Sequence, residues 1–406
     1  MDPRRSRRPT GPRRRRDRYR AELQERGGYP MNTIETRAWA YLSRVAEPPC
    51  PELAALVTDV GPVEAAEKIR RAEVGERLRR KTEARREHGC AQADLDVLAR
   101  MGGRLVTAFD DEWPLLNFLK FTGVDTQKRP QGHPPLVLWA VGPVGMDEVA
   151  ERAAAIVGTR AATAYGEHVA ADLAAGLAMR DVAVVSGGAF GIDGAAHRAT
   201  LAGEGVTVAV VAGGIDVPYP AGHSALLARI RANGLVLSEY PPGSRPTRSR
   251  FLTRNRLVAA LSGATVVVEA GARSGAANTA AWAGALGRNV CAVPGPVTSG
   301  ASVGCHRLLR DGGAILVTRA EEIIELVGRM GELPPVEAGP ATPLDGLTDA
   351  ERRIYDALPK RGARSADEVA VAAGIPAYQV VGPLAMLEVA GLVVHEGGRW
   401  RMARGR

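Results

Sequence analysis

The residues best suited to chemistry are glycines, hydroxyl residues and arginines gathered in short turns. Gly158-Thr159-Arg160 leads to Thr163 and then a helix. Ser186-Gly187-Gly188-Ala189-Phe190-Gly191 leads to Asp193 and another helix. Arg254-Asn255-Arg256 and Ser274-Gly275 follow further on. Glycines let the backbone approach a ligand closely, and amides at helix N-termini attract anions. Guanidinium forks match phosphate oxygens. The combination predicts a phosphate-lined groove and gives no sign of catalysis. The chain lacks G-x-x-x-x-G-K-[ST], so a P-loop nucleotidase is not expected. The first strand–helix turn lacks G-x-G-x-x-G, Ser186 is not in G-x-S-x-G, and no Ser-His-Asp or paired-carboxylate arrangement stands out. Asp193 is placed to cap the helix carrying His197, a capping and packing reading preferred here to acid–base catalysis.

Such turns need a scaffold that brings them to one edge. Apolar runs of strand length, Ala155–Gly158, Val182–Ser186, Thr207–Ala212, Leu235–Ser238, Thr265–Glu269, Asn289–Val293 and Ala314–Val317, alternate with helical patterns including Glu167–Arg180, Gly194–Ala202 and Ala276–Leu286. This alternation over residues 116–328 predicts an α/β domain, a Rossmann-like doubly wound parallel sheet whose ligands bind beyond the strand ends. Residues 31–115 read as a helical N-terminal domain, with a helix–Gly61-Pro62–helix segment that suits either backbone contact with DNA or, preferentially, protein interaction. Residues 329–346 form a Pro/Gly linker. Residues 347–406 give three helical segments and a hairpin at Gly397-Gly398, the plan of a winged-helix domain. Its third helix starts Ala377-Tyr378-Gln379-Val380-Val381 without an arginine, which favours docking over duplex reading.

The net charge of +8 belongs mostly to a tail. Residues 1–30 hold eleven arginines against four acids, and the other 376 residues total only +1. A nucleic-acid site in the folded part must therefore be a local arginine cluster. The segment 1–30 has the composition of a disordered basic arm, and Met31, which opens an amphipathic helix, is an alternative start to Met1. Cys50, Cys90, Cys291 and Cys305 form no C-x-x-C pair, so neither a zinc site nor a disulfide framework is expected, and reduced cytoplasmic thiols are. No apolar stretch approaches the roughly 20 residues of a membrane span, and no metal or cofactor is expected.

The ordered set of turns resembles the DNA-processing protein A family, DprA or Smf. The resemblance runs from about Leu136 to Val327. It rests on Val157-Gly158-Thr159-Arg160, on Ser186–Asp193 with Ala196-His197, and on Ala212–Asp216 leading into Tyr219-Pro220. Ser238–Pro241, Arg254-Asn255-Arg256, Val268-Glu269-Ala270 with Ser274-Gly275, and Val293-Pro294-Gly295 complete it. The family implies a homodimeric, cytoplasmic protein that binds single-stranded DNA and loads the recombinase RecA during natural transformation. It implies Arg160 as the principal DNA contact. The expected DNA-binding set is Gly158, Thr159, Arg160, Thr163, Ser186, Gly187, Gly188, Phe190, Gly191, Arg254, Asn255, Arg256, Ser274 and Gly275. Phe190, Tyr219, Tyr240 and Phe251 are candidates for stacking bases. Ala221, Gly222 and His223 depart from the family's basic residue and Asn, His306 stands where Asn is usual, and Leu252-Thr253 replace a Pro-containing lead. The competing enzyme reading is a nucleotide phosphoribohydrolase on the same fold, with Glu269 gripping a ribose or acting as base. A duplex-reading transcription regulator is the third alternative, disfavoured by the arginine-free helix.

Overall fold

The computed structural model describes residues 34–272, 274–328, 344, 346–359 and 362–403. The basic segment 1–30 lies outside the described residues, as does most of the linker. The chain divides into two units, Met1–Leu333 and Pro334–Arg406, each described by itself.

The first unit is built on strands β1 Gly103–Thr107, β2 Val137–Val141, β3 Ala153–Val157, β4 Ala183–Ser186, β5 Thr207–Val211, β6 Leu235–Ser238, β7 Ala264–Val267, β8 Asn289–Ala292 and β9 Ile315–Leu316. They form a sheet in the order β1-β2-β6-β5-β4-β3-β7-β8-β9. From β6 to β9 every pairing is parallel, and β2 joins β6 antiparallel. All seven strands expected from the apolar runs are present. Their continuous apolar character follows from burial on both faces: all five residues of β3, Ala-Ala-Ala-Ile-Val, are buried. Its side chains alternate between two cores. Ala155 and Val157 pack with Val185, Val210 and Trp282. Ala154 and Ile156 pack with Val184, Leu173 and Ile324. The small alanines let the covering helices approach the sheet closely.

One expectation needs correction. Residues 31–115 are not all helical, because β1 leaves that segment and pairs antiparallel with β2, from Gly103 opposite Val141 to Thr107 opposite Val137. The helices before it behave as read. Pro51–Arg70 bends at Gly61, whose φ of 79° is outside the helical range and is followed by Pro62. Trp39, Leu42, Leu53, Val57, Ala65 and Ile69 then form a core that also takes in Val137 of β2.

The second unit has helices Asp349–Asp356, Ala366–Ala373 and Val381–Val389, then a hairpin of β10 Val393–Glu396 and β11 Arg399–Met402. Thr348 with Glu351, and Ser365 with Glu368, make capping boxes that fix the first two helix starts. Gly397 and Gly398 both have positive φ, 57° and 75°, as a two-residue hairpin turn requires. The unit closes on Ile354, Val369, Leu384, Leu387, Val393 and Trp400.

Candidate nucleic-acid interface

The sheet order dictates where a ligand sits. Strands β3, β4, β5 and β6 progress in one direction and β7, β8 and β9 in the other. The crevice therefore opens at the carboxyl ends of adjacent β3 and β7, the switch point of a doubly wound sheet. A groove of about 910 Å³ lies there. Gly158, Thr159 and Arg160 after β3, Gly271, Ser274 and Gly275 after β7, and Gly187 and Ala189 after β4 all line it.

Each loop is held from behind. Glu269, buried after β7, accepts from the Thr163 amide at 2.9 Å and the Thr163 hydroxyl at 2.6 Å. Its backbone carbonyl accepts from the Thr159 amide at 2.8 Å. These bonds fix the Gly158–Thr163 turn and leave Arg160 exposed at its tip. Asp193 does not cap its helix, contrary to expectation: Gly191, with φ 73°, takes the N-cap position. A side chain there would meet the Thr159 carbonyl. The Asp193 carboxylate turns back and accepts from the amides of Gly187 and Ala189 at 3.1 and 3.3 Å. Burial raises its pKa, opposed by the nearby positive charge of Arg254.

Arg254-Asn255-Arg256 is not a loop at all. It lies inside the helix Arg248–Ala260, where residues two apart face different directions. Arg254 is buried under the groove floor with a guanidinium nitrogen on the Val210 carbonyl. Burial pushes its pKa down to about 10. Arg256 leaves the groove altogether: it is fully buried, 2.6 Å from Glu239, which is 3% exposed, with its guanidinium over the Phe121 ring. Its expected DNA contact is therefore corrected to a buried ion pair.

Of the expected set, Gly158, Thr159, Arg160, Gly187, Arg254, Asn255, Ser274 and Gly275 line the groove. Six do not. Thr163 is tied to Glu269, buried Ser186 donates to the Ile156 carbonyl, Gly188 is buried, Phe190 and Gly191 sit outside the lining, and Arg256 faces the core.

The sequence reading also overlooked Arg248 and Asn278. A periodic signal was available for the first. Arg248, Phe251, Leu252, Asn255 and Val258 recur at three- and four-residue steps and share the groove-facing side of one helix. Among the described residues neither Arg160 nor Arg248 has an acidic partner. The helix starts at Thr247 and Ser274, whose side chains accept amide protons from Arg250 and Ala276, bring two positive helix ends to the rim.

Aromatic surface completes the groove. The Tyr219 and Phe251 rings lie 5.3 Å apart, and the Arg160 guanidinium sits 4.9 Å from the Phe251 centroid. Tyr240, expected as a stacking candidate, is instead buried beneath Arg250.

His197 is a packed core residue. Thr207 donates its hydroxyl proton to the Val184 carbonyl at 2.9 Å, so the His197 Nδ1–H donates to Thr207 at 2.7 Å. Burial drives the imidazole pKa down to about 3. Because the folded pKa lies below the unfolded one, stability is complete above about pH 6.5 and is lost as pH falls, at up to about 1.4 kcal/mol per unit. Thermal melts from pH 7 to 5 will show a loss of stability that His197→Gln reduces; parallel pH profiles would contradict the neutral-core assignment.

The chain's DNA recombination-mediator protein A domain spans residues 104–328, and a DprA winged-helix domain spans 338–399. The chain belongs to the DNA recombination-mediator protein A family. It is 68% identical over 368 residues to a DNA processing protein DprA of Mycobacterium tuberculosis, covering 91% of this chain and 94% of that one. It is 38% identical over 255 residues to protein Smf of Escherichia coli, covering 62% and 68%. The X-ray structure of DprA from Streptococcus pneumoniae superposes with a TM-score of 0.56 at 27% identity, covering 73% of this chain and 99% of that one.

Two histidines that the resemblance set apart from the family pattern have structural roles here. His223 is buried, its Nδ1 is 3.0 Å from the Gly188 carbonyl, and its ring meets Phe190 edge-on at 4.6 Å. It braces the second glycine loop from outside. His306 holds the Gly295 carbonyl through Nε2 at 2.9 Å. Among the described residues no helix alone is long and apolar enough to cross a membrane, and no cluster of three metal-ligating side chains occurs.

Proposed function

We propose that this DprA-family chain is a cytoplasmic, homodimeric single-stranded DNA-binding mediator that loads the RecA recombinase and catalyses no reaction. The observation carrying the reading is the switch-point groove, where unpaired Arg160 and Arg248, helix N-termini and backbone glycines converge beside accessible aromatic rings. Cations and oriented amides suit a phosphodiester backbone. Tyr219 and Phe251 suit unpaired bases, which a duplex keeps stacked inside. Gly158, Thr159, Gly187, Arg254, Asn255, Ser274 and Gly275 would form the remaining contact surface.

One observation weighs against the phosphoribohydrolase alternative. Both Glu269 oxygens accept from Thr163, which supports a loop-positioning role for this carboxylate. The arginine-free third helix of the second unit, Val381–Val389, and the 3-10 turn Ala377–Gln379 before it support protein docking, since Val381, Val389 and, in the turn, Tyr378 are exposed.

Phe251→Ala is expected to weaken oligo-thymidylate binding by about 1–3 kcal/mol, the usual value of one base–aromatic stack. Fluorescence anisotropy reads this directly, and unchanged affinity would remove Phe251 from the site. The mediator role is tested by RecA-driven strand exchange on DNA pre-coated with single-strand-binding protein. The chain should shorten the lag, and an unaltered lag would reduce the function to DNA binding alone.

A further inference from the structure

A second basic pocket adjoins the groove. It has a volume of about 280 Å³ and is bordered by Arg44, Arg85, Arg245 and Arg250, with Glu47 as its one acidic lining residue among the described residues. Thr247 borders both the pocket and the groove. The segment between them alternates. Pro246, Arg248, Phe251 and Leu252 face the groove, while Ser244, Arg245 and Arg250 face the pocket.

The charges in the pocket do not cancel. Arg44 is held by Asp94 through two bonds of 2.6 and 2.7 Å. Arg250 and Arg85 share a single carboxylate: Glu47 accepts from Arg250 at 2.6 and 2.9 Å and from Arg85 at 3.1 Å. Arg245 is exposed and, among the described residues, has no acidic partner. Four guanidinium groups thus face two carboxylates, leaving an excess of positive charge at a concave site. Planar guanidinium forks are suited to tetrahedral oxyanions. Glu47 occupies donors of Arg250 and Arg85, so the uncompensated charge at the pocket mouth is carried by Arg245 and by the one positive charge that Arg85 and Arg250 hold in excess of Glu47.

We propose that this pocket binds a further phosphodiester of the strand lying in the groove, extending the DNA track past Thr247 onto the N-terminal helical segment. The inference rests on the single-strand reading above. It assigns Arg85 and Arg245 to DNA binding and gives the helical segment a direct share in it.

The test is anisotropy on labelled oligo-thymidylates of increasing length, from about 4 to about 20 nucleotides. The proteins are the full chain, Arg85→Ala/Arg245→Ala, Arg245→Glu and, as a groove control, Arg160→Ala. Arg245→Glu guards against misfolding, because its side chain is exposed and unpaired, and thermal melts of each variant verify folding. For the two pocket variants the expected result is affinity close to the full chain's on the shortest oligonucleotide bound and a loss of about tenfold on the longest, with a smaller salt dependence. Equal affinity at every length while Arg160→Ala still weakens binding would overturn the inference, leave the groove reading intact and assign the pocket to an acidic protein segment. An equal loss at every length would also overturn it, by making the pocket part of the minimal site. Insensitivity to Arg160→Ala alone would instead sink the groove reading.

Discussion

Replacing Arg160 with alanine will weaken single-stranded DNA binding about ten- to a hundredfold without lowering thermal stability. The magnitude follows from about 1.5–3 kcal/mol for a hydrogen bond to a charged partner, with about 1.4 kcal/mol per tenfold. Folding should be indifferent because Arg160 is exposed, makes no ion pair to an acid among the described residues, and only overlies Phe251. The turn beneath it is held by backbone and Thr163 bonds to Glu269, which the substitution leaves in place. A variant that binds normally would mean the β3 turn is not the phosphate contact. One that also melts early would mean Arg160 supports the fold.

Arg256→Ala should have the opposite signature. The pair with Glu239 is buried and joined through Arg256 Nη2 and Glu239 Oε1, while Glu239 Oε2, Arg256 Nε and Arg256 Nη1 have no hydrogen-bond partner. Removing one partner of a buried pair leaves an uncompensated charge, a cost of about 3–5 kcal/mol. Burial already raises the Glu239 pKa, and Arg256 is the main opposing influence. Without Arg256 the carboxyl must take up a proton or draw in water. The prediction is a large drop in denaturation midpoint while DNA affinity per folded molecule stays constant. Normal stability with lost binding would return Arg256 to the DNA site. Arg256→Met, which keeps the volume but still strands Glu239, should also destabilise, and adding Glu239→Leu should recover part of the loss.

These two arginines show which parts of the protein were legible in its sequence. The parallel strands were, because burial on both faces produces unbroken apolar runs that end in glycine turns, as in Val182–Ser186 before Gly187-Gly188. The switch-point turns followed, since ligands bind beyond strand ends. Strand β1 was obscured because Gly-Arg-Leu-Val-Thr is short and pairs at the sheet edge with β2. Arg254 and Arg256 misled as a pair because residues two apart on a helix cannot serve one ligand, and taking the segment for a loop hid that constraint. Asp193 misled differently: its place near a helix start suggested a cap, but tertiary packing sends its carboxylate back to the Gly187 and Ala189 amides. Such long-range choices, like the Glu269–Thr163 bonds across 106 residues, have no local sequence signal.

The central claim is that the DNA phosphates lie in the groove at the β3–β7 switch point. Its most direct test is anisotropy of a labelled oligo-thymidylate of roughly 20 nucleotides titrated across salt with the wild-type chain and Arg160→Ala. The wild type should prefer the single strand to its duplex, with a log–log salt slope of about −0.7 per phosphate neutralised, and Arg160→Ala should bind more weakly with a slope shallower by about one such unit. Superimposable wild-type and variant titrations, in affinity and in slope, would contradict it.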